Sequence, residues 1–257
     1  MSKKIALVTG ATSGIGEATA RKLAQEGYHV IVTGRRKERL ENLSADLTSN
    51  FNTEALPLTF DIRERSQVKQ VFQDLPEKWK NIDVLINNAG LASGLHHFDE
   101  GNVDDWERMI DTNVKGLLYI SRAIAPQMVT RGAGHIINIG STAGKEVYEK
   151  GNVYCATKHA VDALTKGMRI DMLKHNIKVT SIDPGMVETE FSEVRFHGNK
   201  EKAEKVYQGF TPLHAEDIAE TIAFVLSRPE HVCLNDIVMT ATRQANSFYK
   251  ILDNELE

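Results

Sequence analysis

The stretch Thr9-Gly10-Ala11-Thr12-Ser13-Gly14-Ile15-Gly16 decides the fold of this chain. It follows an apolar run, Lys4–Thr9, and opens an amphipathic segment, Ile15–Glu26, so it joins a predicted strand to a predicted helix. Glycines let a backbone approach a pyrophosphate closely, and a helix N-terminus offers it unpaired N–H groups. By itself the turn could be only a tight loop. In this position it predicts a dinucleotide site formed by Gly10, Thr12, Ser13, Gly14, Ile15 and Gly16.

Beyond this turn, β-rich runs alternate with amphipathic stretches along the chain. The predicted strands are Lys4–Thr9, His29–Thr33, Ala55–Phe60, Val84–Asn87, His135–Ile139, Lys178–Ile182 and Asp236–Met239. The predicted helices are Ile15–Glu26, Arg36–Leu47, Arg65–Leu75, Val103–Arg131, Val153–His175 and Ala215–Leu226. Several strands are continuous apolar runs, as in sheets that helices cover on both faces. The alternation predicts an α/β fold: one domain with a doubly wound, mainly parallel sheet.

The composition is ordinary for a globular protein, because hydrophobic residues make up 41% of the 257 residues. A formal net charge of −4 argues against general nucleic-acid binding, which needs a basic surface. The two cysteines, Cys155 and Cys233, form neither a disulfide framework nor a metal-ligand pattern. No apolar run approaches the roughly 20 residues of a membrane span. We therefore expect a cytoplasmic protein with no metal, nucleic-acid or membrane partner.

The second predicted strand runs into Gly34-Arg35-Arg36. Enzymes that prefer NAD usually have a carboxylate here, which accepts a hydrogen bond from the ribose 2′-hydroxyl. This stretch has no acid within reach, and the planar fork of arginine suits a phosphate because it donates two charge-assisted hydrogen bonds. The pattern predicts NADP as the coenzyme, bound by Arg35 and Arg36. The alternative is that the arginines only begin a solvated, charged helix.

Two more segments are predicted to border the same site. They follow the third and fourth strands, where a coenzyme would meet small or polar residues. Their residues are Asp61, Ile62, Asn88, Ala89 and Gly90. Either segment could also be simple turn chemistry.

A charged insertion with helical patterning, Glu188–Phe210, separates the sixth strand from Ala215. In open α/β sheets, loops beyond the carboxyl ends of the strands bind ligands. We therefore interpret the insertion as a substrate lid. A solvated pair of surface helices is the alternative.

Tyr154 and Lys158 are four residues apart, so a helix would place them on one face. A free phenol has a pKa of about 10, and a nearby cation favours its phenolate form. The pair is thus a candidate proton donor and acceptor. Most pairs at this spacing are ordinary helix surface, and the nucleotide site in the N-terminal half is what favours the catalytic interpretation.

In this order, the motifs resemble the short-chain dehydrogenase/reductase family over nearly the whole chain. The matching elements are Thr9–Gly16, Asn87–Gly90, Asn113, Ser141, Tyr154, Lys158, Pro184 and Gly185. The resemblance implies a seven-stranded Rossmann-type fold and hydride transfer between a nicotinamide and an alcohol or carbonyl. It also implies a homotetramer paired through Val103–Arg131 and Val153–His175. The tail after Met239, with Phe248 and Tyr249, would then be able to cover a neighbour's site.

A narrower resemblance is to the NADP-dependent 3-hydroxy acid dehydrogenases, which also oxidise serine and allo-threonine. It covers Asn81–Ala92, Asp105–Leu118, Gly134–Gly144, Gly151–Lys158 and Phe191–Gln208. It implies a small 3-hydroxy acid, or its aldehyde or keto form, as substrate. The chain departs from this group at Lys145–Lys150, where related sequences are apolar, and in a shorter loop after Pro184. A small sulfonate aldehyde or another short polar carbonyl is therefore an alternative substrate.

The family resemblance also implies roles for individual residues. Tyr154 would be the general acid and base, Lys158 would lower its pKa and hold the nicotinamide ribose, and Ser141 would hydrogen-bond the substrate oxygen. Asn113 would anchor a water that links Lys158 to solvent, with a polar kink in a helix as the alternative. The remaining coenzyme contacts implied are Pro184, Gly185, Val187 and Thr189.

An acidic substrate needs a cation to meet its carboxylate. Arg195, in the lid, is the candidate, with an exposed lid arginine as the alternative. Tyr148 is expected to contact the substrate together with Ser141 and Tyr154, and Lys145 is a weaker candidate. A catalytically silent NADP-binding sensor or scaffold on the same fold is the competing class.

Overall fold

Seven parallel strands form the central sheet of the molecule. The structure is a computed structural model that describes residues 3–255. They are β1 (Ile5–Thr9), β2 (His29–Gly34), β3 (Ala55–Thr59), β4 (Ile82–Asn87), β5 (Gly134–Ile139), β6 (Ile177–Pro184) and β9 (Asp236–Met239). Two short strands, β7 (Val187–Glu188) and β8 (Leu213–His214), form a separate parallel pair. The main sheet has the order β3-β2-β1-β4-β5-β6-β9, so the predicted doubly wound fold is confirmed. Its direction of winding reverses between β1 and β4, and ligands bind at such a switch point.

The α-helices of the described residues cover both faces of this sheet. They are α1 (Gly14–Gln25), α2 (Lys37–Asn50), α3 (Arg65–Gln73), α4 (Val103–Ile110), α5 (Leu117–Arg131), α6 (Asn152–Met172), α7 (Phe191–Arg195), α8 (Lys200–Lys205) and α9 (Ala215–Leu226). The predicted strands and helices are present with ends shifted by a few residues. The predicted helix Val103–Arg131 is different, because a π-helical turn, Asp111–Gly116, divides it into α4 and α5. Over residues 3–255, no helix has both the length and the apolar character needed to cross a bilayer.

Alternate residues of β1 belong to different cores. Ala6 and Val8 pack into the core that contains residues of α1, α2 and α9, whereas Ile5 and Leu7 pack into the core that contains residues of α3 and α5. Successive side chains of a strand point to opposite faces. A strand buried on both faces therefore needs an unbroken apolar run, which explains the sequence Ile-Ala-Leu-Val.

The predicted lid contains α7 and α8 and is framed by β7 and β8. The segment 240–255, which we call the C-terminal strap, folds back over it. Lys250 Nζ donates to the carbonyl oxygen of Val206 at 2.7 Å. The strap therefore contacts the lid of its own chain, while Phe248 and Tyr249, expected to approach a neighbour, are 62% and 57% exposed.

One buried histidine should make the free energy of unfolding of this protein depend on pH. His135 in β5 is 7% exposed, and one of its ring nitrogens lies 2.8 Å from the Thr180 hydroxyl. Burial, helped by the charge of Lys178, lowers the pKa of His135 to about 4. Between that value and the ordinary pKa of about 6.5, the unfolded chain binds a proton that the folded chain does not. The stability that neutral His135 contributes is therefore present above about pH 6.5 and is lost towards pH 4.

The expected loss is about 3 kcal/mol of unfolding free energy over that pH window, since one pKa unit corresponds to about 1.4 kcal/mol. Urea unfolding between pH 7 and pH 4.5 measures it. The variant His135→Gln should show a shallower dependence on pH than the wild type, and His231→Gln, at an exposed position, should not. Equal pH dependence in wild type and His135→Gln would contradict the prediction.

Candidate active site

A cleft of about 350 Å³ runs along the carboxyl ends of the parallel strands, at the switch point between β1 and β4. Most of the predicted site residues border it: Gly10, Thr12, Ser13, Gly14, Ile15, Arg35, Arg36, Asp61, Ile62, Asn88, Ala89, Gly90, Ser141, Tyr154, Lys158, Pro184, Gly185, Val187 and Thr189. The fold thus brings together the ends of β1 to β6 and the beginning of the lid. The other predicted site residues, Gly16, Asn113, Tyr148 and Arg195, do not border the cleft.

The glycine-rich turn is braced from behind. The Asn88 side chain donates to the carbonyl oxygens of Thr9, at 2.9 Å, and Gly10, at 3.2 Å. A Cβ on Gly16 would lie 2.3 Å from the Gly10 oxygen and 2.5 Å from Asn88 Nδ2. Gly16, predicted as a coenzyme contact, does not border the cleft and packs closely against the turn. Because no side chain fits behind the turn, its backbone can stay close to the cleft, as a pyrophosphate site requires.

Three guanidinium groups surround the end of β2. Arg36 donates to the hydroxyls of Thr12 and Ser13 at 2.6 and 2.7 Å. It also donates to Glu190, at the start of the lid, at 2.8 Å. Arg39, which was not among the predicted site residues, donates to the same carboxylate at 2.8 Å. Its signal was the position three residues after Arg36, one helical turn further on.

Arg35 is the least committed of the three. Its side chain is 55% exposed, and its guanidinium lies 4.0 Å from Asp61. An acid is thus present near the end of β2, contrary to our expectation, and it comes from the chain after β3. Burial acts to raise the pKa of Asp61, but the Arg63 guanidinium, bonded to it at 2.6 Å, holds that pKa below its usual value. Arg63 thus pairs with the acid, and Arg35 is left exposed at the cleft.

Ser141 and Tyr154 come from two different elements. Ser141 follows β5, and its hydroxyl accepts a hydrogen bond from the N–H of Ala143 at 3.1 Å. Tyr154, in α6, packs edge-on against Phe191 of the lid, with 5.8 Å between ring centroids. Burial raises the pKa of Tyr154, while Arg195 and Ser141 act to lower it. The phenol therefore needs these partners to act as a base near neutral pH.

Lys158 lies on the same side of α6, and its amine is 6.0 Å from the centroid of the Tyr154 ring. The amine donates to the carbonyl oxygen of Ile139 at 2.9 Å. Burial lowers the pKa of Lys158 to about 8, and the carboxylate of Asp183 acts in the opposite direction. The expected lowering of the Tyr154 pKa by Lys158 is thus not the dominant effect in this structure, because burial favours the neutral form of each group.

Asn113 lies in the π-helical turn and is 2% exposed. Its amide donates to the carbonyl oxygen of Leu91 at 2.8 Å and to the Thr157 hydroxyl at 3.0 Å, and its carbonyl accepts from Leu91 N at 2.8 Å. The side chain therefore ties the loop after β4 to α6. A Cβ on Gly90 would lie 3.3 Å from Asn113 Oδ1 and 3.8 Å from Lys158 Nζ, so this small residue lies between the two polar groups.

Arg195 and Tyr148 meet beside Tyr154. The Arg195 guanidinium donates to the Tyr148 hydroxyl and lies 5.3 Å from the Tyr154 ring centroid. Its Nε is buried and makes no hydrogen bond with any of residues 3–255. Two residues predicted to contact the substrate are thus adjacent, and one of them presents a buried donor.

Lys145, the weaker candidate for the substrate cation, lies within ion-pair distance of three carboxylates. Its amine pairs with Asp162 and lies 3.3 Å from Asp183 and 3.8 Å from Asp236. Asp183 is 1% exposed, and burial raises its pKa. Asp183 was not among the predicted site residues, although an acid inside an apolar strand, directly before Pro184, was a visible signal.

A Rossmann-type sheet, a glycine-rich turn at its switch point and a tyrosine–lysine pair in one cleft together define a class of protein, the dinucleotide-dependent oxidoreductases. The family model described as short chain dehydrogenase matches residues 4–200. This chain therefore belongs to the short-chain dehydrogenase family.

Individual relatives are similar over almost their full length. The chain is 48% identical over 242 residues to an NADP-dependent 3-hydroxy acid dehydrogenase of Escherichia coli (strain K12). This match covers 94% of this chain and 96% of that protein. It is 42% identical over 250 residues to a protein of the same name from Schizosaccharomyces pombe (strain 972), with 96% of each covered. Among solved structures, the closed form of serine dehydrogenase complexed with NADP+ has a TM-score of 0.90 at 46% identity, covering 96% of this chain and 98% of that one.

Proposed function

We propose that this chain is an NADP-dependent oxidoreductase that interconverts a small 3-hydroxy acid and its aldehyde or keto form. The observation that carries the proposal is the cluster at the strand ends. There Tyr154 lies between the lid and Lys158, with the Arg195 guanidinium 5.3 Å from its ring. The similarity to a 3-hydroxy acid dehydrogenase and to a serine dehydrogenase supports the same substrate class.

The residues fit the coenzyme, because the close-packed glycine turn leaves bare backbone for a pyrophosphate and Arg35 presents an exposed guanidinium for the 2′-phosphate. When bound, NADP supplies the hydride acceptor or donor. We propose that the protein holds it through Gly10, Thr12, Ser13, Gly14, Ile15, Arg35, Arg36, Asp61, Ile62, Asn88, Ala89, Gly90, Tyr154, Lys158, Pro184, Gly185, Val187 and Thr189. Gly16 is left with a structural role behind the turn.

In this proposal Tyr154 transfers the proton. Its phenol donates to the substrate oxygen during carbonyl reduction and, as phenolate, accepts from the alcohol during oxidation. Protonated Lys158 favours the phenolate through its charge, and the Ser141 hydroxyl donates to the substrate oxygen as negative charge develops there. The side chain of Asn113 holds the loop after β4 against α6. A water beside Lys158 would therefore have to hydrogen-bond to the backbone of Asn113.

Arg195 is the proposed partner of the substrate carboxylate. Its buried Nε has a hydrogen to donate, and a carboxylate can accept from two guanidinium nitrogens at once. Tyr148 holds the guanidinium through its hydroxyl. A sulfonate offers the same oxygen acceptors, so a small sulfonate aldehyde is the second candidate. A panel of 3-hydroxy acids, amino alcohols and sulfonate aldehydes, followed through the absorbance of NADPH, tests the choice. The proposed function fails if none of the panel is turned over.

The variant Arg195→Met should raise KM for a 3-hydroxy acid by roughly 10- to 100-fold, because hydrogen bonds to charged groups contribute about 1.5–3 kcal/mol. The affinity for NADPH and the KM for an uncharged alcohol of the same length should not change. Steady-state kinetics with both substrates measures the difference. Arg228→Met, at a half-buried arginine that lies over the Phe224 ring, is the matched control. An equal rise in KM for the charged and uncharged substrates would contradict the assignment.

A homotetramer in the cytoplasm is part of the proposal. The paired helices expose large apolar side chains, including Leu118 in α5 at 37%, Ile170 in α6 at 74% and Leu173 directly after α6 at 72%. Such side chains favour burial against another subunit. Cys155 and Cys233 are both free thiols, which agrees with a reducing compartment. Light scattering in solution would measure the mass of the assembly.

The lid role of residues 188–210 is likewise proposed. Phe191 packs on the Tyr154 ring, and the Tyr207 hydroxyl donates to the carbonyl oxygen of Val187 at 2.9 Å. The Arg195 carbonyl accepts from the N–H of Gly94 at 2.9 Å, which ties the lid to the loop after β4. These contacts would hold the lid over the substrate side of the cleft.

A further inference from the structure

The C-terminal strap contains one buried polar side chain whose contacts point towards the coenzyme cleft. Gln244 is 3% exposed, although it lies only a few residues beyond the last strand of the sheet. Around it the strap forms a small antiparallel loop, with Ala245 N donating to Tyr249 O at 3.0 Å and Ile251 N donating to Arg243 O at 3.0 Å. Arg243 also pairs with Asp253, which closes the loop. The side chain of Gln244 is therefore presented by a segment that is itself held in place.

Both ends of the Gln244 amide are used. Its carbonyl oxygen accepts from the backbone N–H of Met186 at 2.9 Å, and its NH₂ group donates to the carbonyl oxygen of Asn246 at 2.9 Å. The first bond reaches the turn between β6 and β7, 58 residues earlier in the chain. The second fixes the amide so that its oxygen faces that turn. A buried polar group with both ends satisfied in this way has one well-defined orientation.

The turn is packed against the same amide. A Cβ on Gly185 would lie only 2.2 Å from Gln244 Oε1, so a side chain at this position would displace the amide. The N–H of Gly185 also donates to the carbonyl oxygen of Met239 at 2.8 Å, where β9 ends. The end of β9 and the strap therefore both accept hydrogen bonds from this turn. Pro184, Gly185 and Val187, on either side of Met186, border the cleft.

The strap also holds the far end of the lid. Lys250 Nζ lies 4.3 Å from the centroid of the Phe210 ring, and the N–H of Asp253 donates to the carbonyl oxygen of Gly209 at 2.7 Å. The segment from the turn to the end of the lid is therefore anchored at both ends by one C-terminal segment. Gln244 is the contact that lies at the cleft end.

We propose that Gln244 is a positioning residue for the nicotinamide half of the coenzyme, acting through Met186 and the Pro184–Val187 turn. The inference rests on the proposed function, in which this turn meets the nicotinamide, and it adds a residue from the C-terminal strap that touches neither coenzyme nor substrate. The adenosine half would lie at the other end of the cleft, against β2 and Arg35. Loss of the Gln244 contact should therefore weaken one half of the coenzyme site and leave the other unchanged.

Two ligands distinguish the halves: NADPH, and 2′,5′-ADP, which lacks the nicotinamide. With Gln244→Met, which keeps the length of the side chain and removes the acceptor, the Kd of NADPH should rise about tenfold, since a buried hydrogen bond contributes about 1–1.5 kcal/mol. The Kd of 2′,5′-ADP should stay within about twofold, because this ligand lacks the nicotinamide half. A twofold change is less than the loss of one buried hydrogen bond would cause. Calorimetric titration measures both. Gln73→Met, at an exposed position in α3, is the matched control.

Gln244→Glu keeps an oxygen acceptor for the Met186 N–H but loses the donor to the Asn246 carbonyl, so it should recover only part of the NADPH affinity. A merely structural role predicts a different outcome, because a partly unfolded variant offers fewer sites to both ligands and does not change the ratio of their affinities. An unchanged ratio of the two Kd values in Gln244→Met would overturn the proposal. Because both measurements are of binding, they are independent of the substrate panel: a protein that turns over no hydroxy acid would refute the proposed function without deciding the role of Gln244.

Discussion

Replacing Tyr154 by phenylalanine should lower kcat by roughly 10²- to 10⁴-fold, the usual contribution of a general acid or base. The phenol hydroxyl is the only group that this change removes, and the ring can keep its contact with Phe191 and Arg195. Because the reaction adds or removes a proton at the substrate oxygen, the loss should affect both directions. The affinity for NADPH should fall far less than kcat, because the coenzyme site is formed by many other groups.

The measurement is a comparison of steady-state turnover with direct titration of NADPH. Tyr119→Phe, the same change in α5, controls for the loss of any tyrosine hydroxyl. The variant should also lose that part of the pH dependence of kcat/KM which the phenol causes. Turnover by Tyr154→Phe within a fewfold of the wild-type value would exclude Tyr154 as the proton donor, and the mechanism proposed here with it.

Exchanging Arg35 for aspartate should reverse the preference for the phosphorylated coenzyme. Hydrogen bonds from a guanidinium to a charged acceptor contribute about 1.5–3 kcal/mol, which corresponds to roughly 10- to 100-fold in Kd. An aspartate at the same place would repel the 2′-phosphate in addition, so we expect the Kd of NADPH to rise about 100-fold or more. The Kd of NADH should stay constant or fall, since a carboxylate can accept from a 2′-hydroxyl.

Arg35 is expected to be the selector because its neighbours are already engaged. Arg36 and Arg39 both donate to Glu190, and Arg36 also contacts the hydroxyls of the glycine-rich turn. Arg39→Asp is therefore the matched control, because it makes the same change of charge about one helical turn further along, in α2. Equal effects of the two variants on NADPH would mean that the general positive field, rather than a contact with Arg35, selects the phosphate.

The pairing of Glu190 with two arginines also illustrates what sequence patterns leave out. Thr9–Gly16, Arg35 and the tyrosine–lysine spacing are local, so they were recognised from neighbouring residues alone. Glu190 lies 151 residues after Arg39, and nothing in either neighbourhood indicates that they meet. Burial acts to raise the pKa of Glu190, and the two guanidinium groups lower it, so the carboxylate stays charged. The contact joins the predicted lid to α2, beside the glycine-rich turn.

The proposed catalytic pair shows the same limit in its electrostatics. The sequence predicted that Tyr154 and Lys158 share a helix face, and they do. It also predicted that the lysine charge would control the tyrosine. In the structure burial is the larger influence on both, and the amine is held by the backbone of Ile139. Spacing along a helix gives direction, whereas a pKa depends on everything that surrounds the group.

The sequence alone was enough to predict the order of strands and helices, the position of the glycine-rich turn and the shared helix face of the proposed pair Tyr154 and Lys158, because each depends on the periodicity or spacing of residues close along the chain. Only the tertiary structure decided the division of the helix at Asn113 and the pairing of Lys145 with Asp183. It also decided the course of the C-terminal strap to the turn at Met186. These features join segments that are far apart in the chain, and packing in three dimensions, rather than local propensity, decides which buried polar groups become partners.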